Sequence, residues 1–469
     1  MNKKLLYAVI VLGLLAGIWF SPVPDGMKPQ AWRLFAIFVS TILSFILRPI
    51  PIGASALFAV AFTAATKTLT MGQALGGFSN TTIWMIVAAF LFSKSFQKTG
   101  LGRRIAYVIM KKIGDSTLKL SYAFAFSNLV MSPTVPSATA RGGGIIFPIA
   151  RSLCSAFKSE PDDPQSARRL GAYLMQAGYQ TDTVVCAMFM TSMAANPLCA
   201  LLAKQTLGID ITWTMWILGS SVPGLLTLLA IPYIMFKLSP PTITKTPEAP
   251  EIAKSELEKM GTMSYGEKMA SLIFITCLLL WATANYTKID STMVAIMGAA
   301  VMVITQVLDW QDVLEEKGAW DTMIWMGTIV NLAGFLSSTG FIAWFASSVS
   351  GSLVGVSWQL AMVLLVIIYC YSHYGFASMT AHVTAMYVPF ITLATVAGAP
   401  PFLAALSLGY MSSLYGGITH YSGGNAPIYF GPGYVSQAEW WRNGFIISIV
   451  NIVIFIGLGS IWWKVLGFW

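Results

Sequence analysis

Two short polar stretches hold the side chains of this chain that could do chemistry. They are residues 137–141 (SATAR) and 378–382 (SMTAH), and each has a serine, a threonine two residues later and a basic side chain two residues after that. Hydroxyl groups and the N–H groups at a helix start bind anions. Covalent catalysis would need a nucleophile held against a base, which nothing here establishes. The pattern favours anion binding, and we do not expect an enzyme.

The composition is that of a membrane protein. Of 469 residues, 56% are hydrophobic and 10% are charged, and the mean hydropathy is +0.69; soluble domains are roughly 25% charged. A spanning helix needs about 20 mostly apolar residues. We predict an all-α polytopic membrane protein with about eleven transmembrane helices, at 5–20, 32–47, 52–66, 83–96, 172–202, 213–236, 270–284, 293–307, 324–336, 401–430 and 444–466. Two further apolar blocks, 118–150 and 353–394, are each interrupted in the middle.

The basic residues indicate the orientation. If the N-terminus is cytoplasmic, all but six of the 28 lysines and arginines lie on the cytoplasmic side, which is the usual bias. The exceptions are Lys28, Arg33, Lys67, Lys204, Lys288 and Lys464. We predict a multi-pass protein of the cell (inner or plasma) membrane, with its C-terminus outside and its first helix retained rather than cleaved as a signal peptide. The net charge of +9 then reflects topology and needs no nucleic-acid partner.

An internal repeat organises the chain. Residues 81–101 resemble residues 321–341, at an offset of about 241, and the same offset brings 137–148 onto 378–389. Further on, the stretch ANPLCALLA around Asn196 pairs with GNAPIYFG around Asn425. Each half contributes five spans, an odd number, so the halves enter the membrane from opposite sides. Inverted repeats of this kind are typical of secondary transporters.

The interrupted blocks predict two re-entrant hairpins. Pro133 and Pro136 stop the preceding helix, and Ser137 or Thr139 can cap the next one, expected over 142–150. This hairpin enters from the cytoplasm; its counterpart, 372–390, enters from outside with 378–380 at the tip. Two broken helices, interrupted at 192–197 and 419–427, contain Asn196 and Asn425, which could face the same cavity.

The charges within the predicted spans are few. Of 19 acidic residues, only Asp182 lies well inside a predicted span. Arg141 and His382 occupy matching positions in the two halves, and a buried arginine costs about 2.5–3.5 kcal/mol even on a lenient insertion scale. Arg141 therefore needs an anionic partner, either protein or substrate, unless it reaches the cytoplasmic surface.

The histidines and cysteines do not form a metal-binding pattern. The three histidines, His373, His382 and His420, either line the polar cavity or pack within the protein. A zinc site would require a fourth ligand and closer spacing, and the five cysteines show no CxxC spacing. We expect no metal and no cofactor.

At the hairpin tips the chain resembles the divalent anion:sodium symporter family, whose members carry a Ser-Asn-Thr motif at each of two inverted hairpins. It is most similar to the exchanger branch, which includes the citrate/succinate and 2-oxoglutarate/malate antiporters. The resemblance covers nearly the whole chain and rests on PVPDGMKPQAW (22–32), GFSNTTIW (77–84), GLGRRIAY (100–107), DPQSARRLGAYLM (163–175) and FASMTAH (376–382).

The resemblance implies a homodimer in the lipid bilayer whose scaffold holds a transport domain that moves like an elevator. The scaffold would be 1–98 and 269–336, the connecting arms 99–116 and 337–352, the transport domain 117–236 and 353–469, and the cytoplasmic linker 237–268. It also implies small dicarboxylate anions as substrates. The substrate-binding residues carried over or added from the pattern are Ser137, Ala138, Thr139, Arg141, Asn196, Ser378, Met379, Thr380, His382 and Asn425.

The chain departs from the family at the middle of each motif. Sodium-coupled relatives have Asn there, whereas this chain has Ala138 and Met379, which offer no side-chain oxygen. Sodium coupling is therefore not expected, and Arg141 and His382 become candidates to supply positive charge in its place. We predict sodium-independent exchange of C4-dicarboxylates or 2-oxoglutarate. The alternative is a sodium- or proton-coupled carboxylate or inorganic-anion symporter of the same fold.

Overall fold

The protein is built from helices, as its hydropathy predicts. In the computed structural model the described residues are 3–350, 355 and 357–469, with only the backbone at 285, 349 and 350. Within that part the only β-type pairing is one isolated bridge, between Ser116 and Lys245. Seven of the described helices are long and apolar enough to cross a membrane, or nine if each of two bent pairs is one span. The all-α polytopic class is confirmed, and the number eleven stays a prediction.

The helices before the linker are α1 Lys3–Phe20, α2 Pro29–Leu47, α3 Ile52–Ala65, α4 Met71–Leu75, α5 Thr81–Thr99, α6 Leu101–Ile113, α7 Thr117–Met131, α8 Phe147–Ala156, α9 Pro164–Ala167, α10 Gly171–Met188, α11 Ala195–Leu207 and α12 Trp213–Leu238. A π-helical segment, Thr139–Ile146, leads directly into α8. The predicted spans through residue 236 thus correspond to helices, and the one over 172–202 is broken between α10 and α11.

The linker contains α13 Glu248–Met260, and the helices after it are α14 Tyr265–Ala282, α15 Ala284–Thr287, α16 Ser291–Ile304, α17 Trp310–Glu315, α18 Lys317–Ser338, α19 Phe341–Ser350, α20 Trp358–Ser372, α21 Met379–Val396, α22 Pro401–Leu414, α23 Ala426–Phe430, α24 Gln437–Asn451 and α25 Gly459–Val465. A π-helical segment, Ile452–Leu458, joins α24 to α25. The end of the second predicted arm, at residue 352, lies outside the described residues.

Both interrupted blocks form helix-turn-helix elements. In the first, α7 ends at Met131 and the return helix begins at Thr139, three residues before the expected start. Glycines 142 and 143 then let this return helix pack closely: a Cβ on Gly142 would lie 3.2 Å from Asp182 Cγ, and one on Gly143 would lie 2.5 Å from Ile428 Cδ1. In the second, α20 ends at Ser372 and α21 begins at Met379.

Helix α10 lies at the centre of the molecule. Every one of its residues from Gly171 to Met188 is buried, and it packs against α7, α12 and α22. A helix covered on all sides by protein needs no polar face, so its few polar side chains are available for contacts inside the core. The break that follows it, 189–194, begins three residues before the expected position, since α10 ends at Met188, and Asn196 already lies in α11.

The linker is a folded strap on one side of the molecule, which we call the linker side. Its backbone pairs with the start of the first hairpin, where the Thr117 N–H donates to Thr244 O at 3.1 Å and the Thr246 N–H to Asp115 O at 2.9 Å. Helix α13 packs along α6. The polar composition of the linker therefore belongs to an ordered element that covers the connecting helix.

An ion pair joins α6 to the start of α14. Arg104 on α6 donates from Nε to Glu267 Oε1 at 2.6 Å and from Nη1 to Gly261 O at 2.9 Å. Glu267 also completes a capping box with Ser264. Its side chain is almost fully buried, so this pair is screened little by water.

Replacing Glu267 with Ala should destabilise the protein by about 2 kcal/mol, because Arg104 loses its partner and α14 loses its cap. The thermal midpoint of the detergent-solubilised protein measures this. Glu256→Ala removes the partner of the exposed Lys259 and should change stability by about 0.5 kcal/mol or less. Equal shifts in the two variants would contradict this assignment.

Candidate functional site

The two hairpin tips begin their return helices in the same way. The hydroxyl of Ser137 accepts from the Ala140 N–H at 3.1 Å, and that of Ser378 accepts from the Ala381 N–H at 3.3 Å. The two serines are 241 residues apart, which is the offset of the predicted repeat. The capping expected for Ser137 is confirmed, and Thr139 lies inside the helix that it starts.

The tips and the two helix breaks lie together. Thr191, in the break after α10, donates its hydroxyl to Pro133 O in the first tip. In the second half, the hydroxyl of Tyr415 donates to Met379 O at 3.1 Å, so the break after α22 contacts the second tip. The first tip reaches the same break, because Thr139 Oγ1 lies 2.6 Å from where a Cβ on Gly424 would be. Four segments with interrupted helices therefore meet along the middle of the bundle.

Arg141 is fully buried at this meeting point. All five of its N–H groups have acceptors: Nε donates to Asn128 Oδ1, Nη1 to Val135 O at 2.6 Å and Ser192 O at 3.2 Å, and Nη2 to Asp182 Oδ1 and Cys186 Sγ, both at 3.1 Å. Two of these acceptors are main-chain carbonyls, one in the first tip and one in the first break. Arg141 thus satisfies non-helical backbone that would otherwise be unpaired inside the helix bundle.

Asp182 neutralises this arginine. Its Oδ1 also accepts from Asn128 Nδ2 at 2.6 Å, and its Oδ2 accepts from Asn425 Nδ2 in the second break. The sequence left the partner of Arg141 open between protein and substrate, and the structure gives a protein partner. The pair has no net charge, so Arg141 does not present an uncompensated positive charge to a ligand.

The two predicted asparagines have different surroundings. Asn425 binds Asp182 and so joins the second half to the ion pair. Asn196 donates to Cys186 O at 2.6 Å and Phe189 O at 2.9 Å, and its Oδ1 accepts from the Ser413 hydroxyl at 3.0 Å. Because α10 ends at Met188, Asn196 satisfies carbonyls at the end of that helix and belongs to the support of the break.

His382, which matches Arg141 in the repeat, lies among aromatic rings instead of charges. It is fully buried, stacks on Tyr369 at 4.6 Å between centroids and contacts Tyr415 at 4.5 Å. Its Nε2 lies 2.9 Å from Ser372 Oγ. The Ser372 hydroxyl donates its proton to Tyr369 O at 2.9 Å. Its oxygen therefore accepts a hydrogen bond from His382 Nε2, which carries the proton. A neutral ring with its proton on Nε2 meets these contacts.

The remaining predicted residues differ in exposure. Thr139 is exposed, whereas Ser137, Ser378 and Thr380 are half-buried. Ala138 and Met379 are buried. The four hydroxyl residues are the members of the predicted set with accessible surface, whereas Arg141, His382 and the asparagines are buried.

Sequence reasoning missed Asn128. It lies on α7, thirteen residues before Arg141, and contacts both members of the ion pair. The one available signal was the internal repeat. At its offset of 241, residue 128 corresponds to Tyr369, whose ring stacks on His382. Among the described residues, no three His, Cys, Asp or Glu side chains come together as a metal site would require.

Comparisons with known proteins agree with this architecture. The family described as sodium:sulfate symporter transmembrane region matches residues 2–469. The chain is 49% identical to the putative malate transporter YflS of Bacillus subtilis, over 99% of this chain and 96% of that protein. It is 43% identical to dicarboxylate transporter 1, chloroplastic, of Spinacia oleracea, over 99% and 82%. The crystal structure of the Alcanivorax borkumensis YdaH transporter covers 100% of this chain and 99% of its own, with a TM-score of 0.59 at 13% identity, and shares the fold.

Replacing Asp182 with Asn should lower the free energy of unfolding by about 3 kcal/mol, because it leaves a buried guanidinium without a counter-charge. Cys186→Ser is the matched control, since it keeps an acceptor for Arg141 Nη2 at a similar volume. Thermal unfolding in detergent compares the two. If Asp182→Asn were as stable as the control, the ion pair would not be what holds the first tip.

Proposed function

This chain belongs to the sodium:sulfate symporter family, and from that premise we propose that it transports small dicarboxylates by exchange across a cell membrane. The names of the relatives support dicarboxylates, malate among them, as the substrate class. The observation that carries the proposal is the pair of serine-capped helix starts, 241 residues apart in the sequence, that both contact the break after α22.

Each helix start suits one carboxylate. The first N–H groups of a helix have no intrahelical acceptor, and the helix dipole places partial positive charge there. Each dipole contributes about 0.3–1 kcal/mol when exposed and up to about 2 kcal/mol when partly buried. The hydroxyls of Thr139 and Thr380 add donors beside them. A substrate with two carboxylates would use both tips, which a monocarboxylate would not.

The middle residue of each motif supports transport without sodium. Ala138 has no polar side-chain atom, and the side chain of Met379 packs against the second break, with its Sδ 2.8 Å from a Cβ position on Gly416. The thioether fills space that an amide would need to reach a cation. An empty site would then carry unsatisfied N–H groups through the bilayer, which is costly. A carrier that crosses with a bound dicarboxylate in both directions, exchanging one for another, avoids that cost.

The two return helices differ in exposure, which fits alternating access. Thr139, Gly144 and Pro148 are exposed along the first return helix toward the linker side. Their counterparts 241 residues later, Thr380, Ala385 and Pro389, are half-buried, and α21 packs on α2 and α19. This difference supports a state in which the first tip is the more accessible of the two. In the opposite state the second return helix would be exposed and the first would be covered. An elevator-type movement of the 117–236 and 353–469 segments within a homodimer would produce this change.

Exchange is tested in proteoliposomes that are either preloaded with malate or empty, with labelled malate outside. Uptake should require internal malate and should not respond to a sodium gradient, because no side-chain oxygen at positions 138 and 379 offers a sodium ligand. Vesicles without protein are the control. Sodium-driven uptake into empty vesicles would overturn exchange in favour of the symporter alternative that the family description suggests.

The site is tested by Thr139→Val and Thr380→Val. Each removes one hydroxyl at nearly constant volume, so the KM for malate should rise about tenfold, as for loss of a hydrogen bond to a charged group. Thermal stability should not change. Thr276→Val on α14, whose hydroxyl binds its own helix, is the control. Wild-type KM in both tip variants would remove the tips from the site.

A further inference from the structure

Gly424 is the residue of the second half that lies against the hydroxyl of Thr139. It is exposed in the break between α22 and α23. A Cβ built on it would be 2.6 Å from Thr139 Oγ1 and 4.0 Å from Thr139 Cβ, and no other atom lies as near. A contact that short is not found for real side chains, so the present position of the Thr139 hydroxyl requires glycine at 424.

The backbone at 424 does not itself demand glycine. Its φ is not in the left-handed region that other residues avoid. In the paired stretch of the first half, the residue before Asn196 is Ala195, so the repeat accepts a methyl group at the corresponding position. What distinguishes 424 is its neighbour, because the hydroxyl of Thr139 occupies the space of the absent Cβ.

The backbone around Gly424 is held on both sides. The next residue, Asn425, is buried and donates to Asp182. The preceding residue, Gly423, has Met379 Cε 3.0 Å from its own Cβ position. Shifting the break to accommodate a methyl group at 424 would therefore disturb the Asn425 hydrogen bond and the packing of Met379. The hydroxyl of Thr139 would move instead, because a threonine on an exposed surface can change its χ1 rotamer.

We propose that Gly424 is a positioning residue for the dicarboxylate site: it leaves the space in which Thr139 holds its hydroxyl, so that the second half of the chain sets the geometry of a ligand group from the first half. This inference rests on the proposed function and deepens it. Gly424 acts through Thr139 and need not touch the substrate. Its effect should appear in KM with little change in the maximal rate, because binding contacts alone are altered.

The test is a double-mutant cycle with Gly424→Ala and Thr139→Ala, measured as malate exchange in preloaded proteoliposomes. Gly424→Ala should raise KM about tenfold, and so should Thr139→Ala. Alanine at 139 has no γ atom for the new methyl group to displace. The double variant should therefore have the KM of Thr139→Ala alone. Gly72→Ala, whose Cβ would meet nothing within 4 Å, is the control.

The outcomes separate the inference from the proposed site. If Thr139→Ala raises KM but Gly424→Ala does not, or if Gly424→Ala raises KM equally in both backgrounds, only the positioning role is overturned. If Thr139→Ala leaves KM unchanged, Thr139 is not a ligand group, and its part in the proposed site and the inference both fail. If Gly424→Ala does not fold, Thr139→Ala should restore folding by removing the clash, and a double variant that still does not fold overturns the inference.

Discussion

The buried ion pair between Arg141 and Asp182 is the interaction on which the centre of this protein depends. Two helices must stop inside the membrane for the tips to exist, and each stop leaves carbonyl and N–H groups that lipid cannot satisfy. Arg141 binds a carbonyl in the first tip and one in the first break. Asp182 neutralises the charge of the Arg141 guanidinium and accepts a hydrogen bond from Asn425 in the other half of the chain. Removing either partner would leave an uncompensated charge where water does not reach.

The two halves of the chain support their tips with different side chains. Where the first half places Asn128 and Arg141, the second places Tyr369 and His382 at the same offset, and these pack as stacked rings. The aromatic arrangement needs no counter-charge, because a neutral imidazole can bind Ser372 and pack against rings at once. The repeat therefore preserves the geometry of the serine-capped tips while the groups behind them differ.

The anion site that we propose at the tips would have little net charge of its own. In the proposed site, the attraction for a dicarboxylate would come from helix starts and hydroxyls, which would lose their partners when the ligand leaves. That balance is the reason why we propose exchange: an occupant would stabilise the site, and a crossing without one would be disfavoured. The burial of Arg141 therefore matters for the proposed mechanism. An exposed guanidinium would present a positive charge to the ligand, whereas the buried one is neutralised by Asp182.

Local chain properties determined much of this architecture. Hydropathy predicted the spans, the prolines before Ser137 predicted where the first hairpin turns, and the serine predicted its cap, since each depends on residues near in the chain. The single acid within a span also drew attention to Asp182. Only the tertiary structure decided that this acid binds Arg141, that Asn128 joins them, and that Gly424 lies against Thr139. These contacts join residues that are 13 to 285 positions apart, and their geometry follows from how helices pack, which composition and periodicity do not specify.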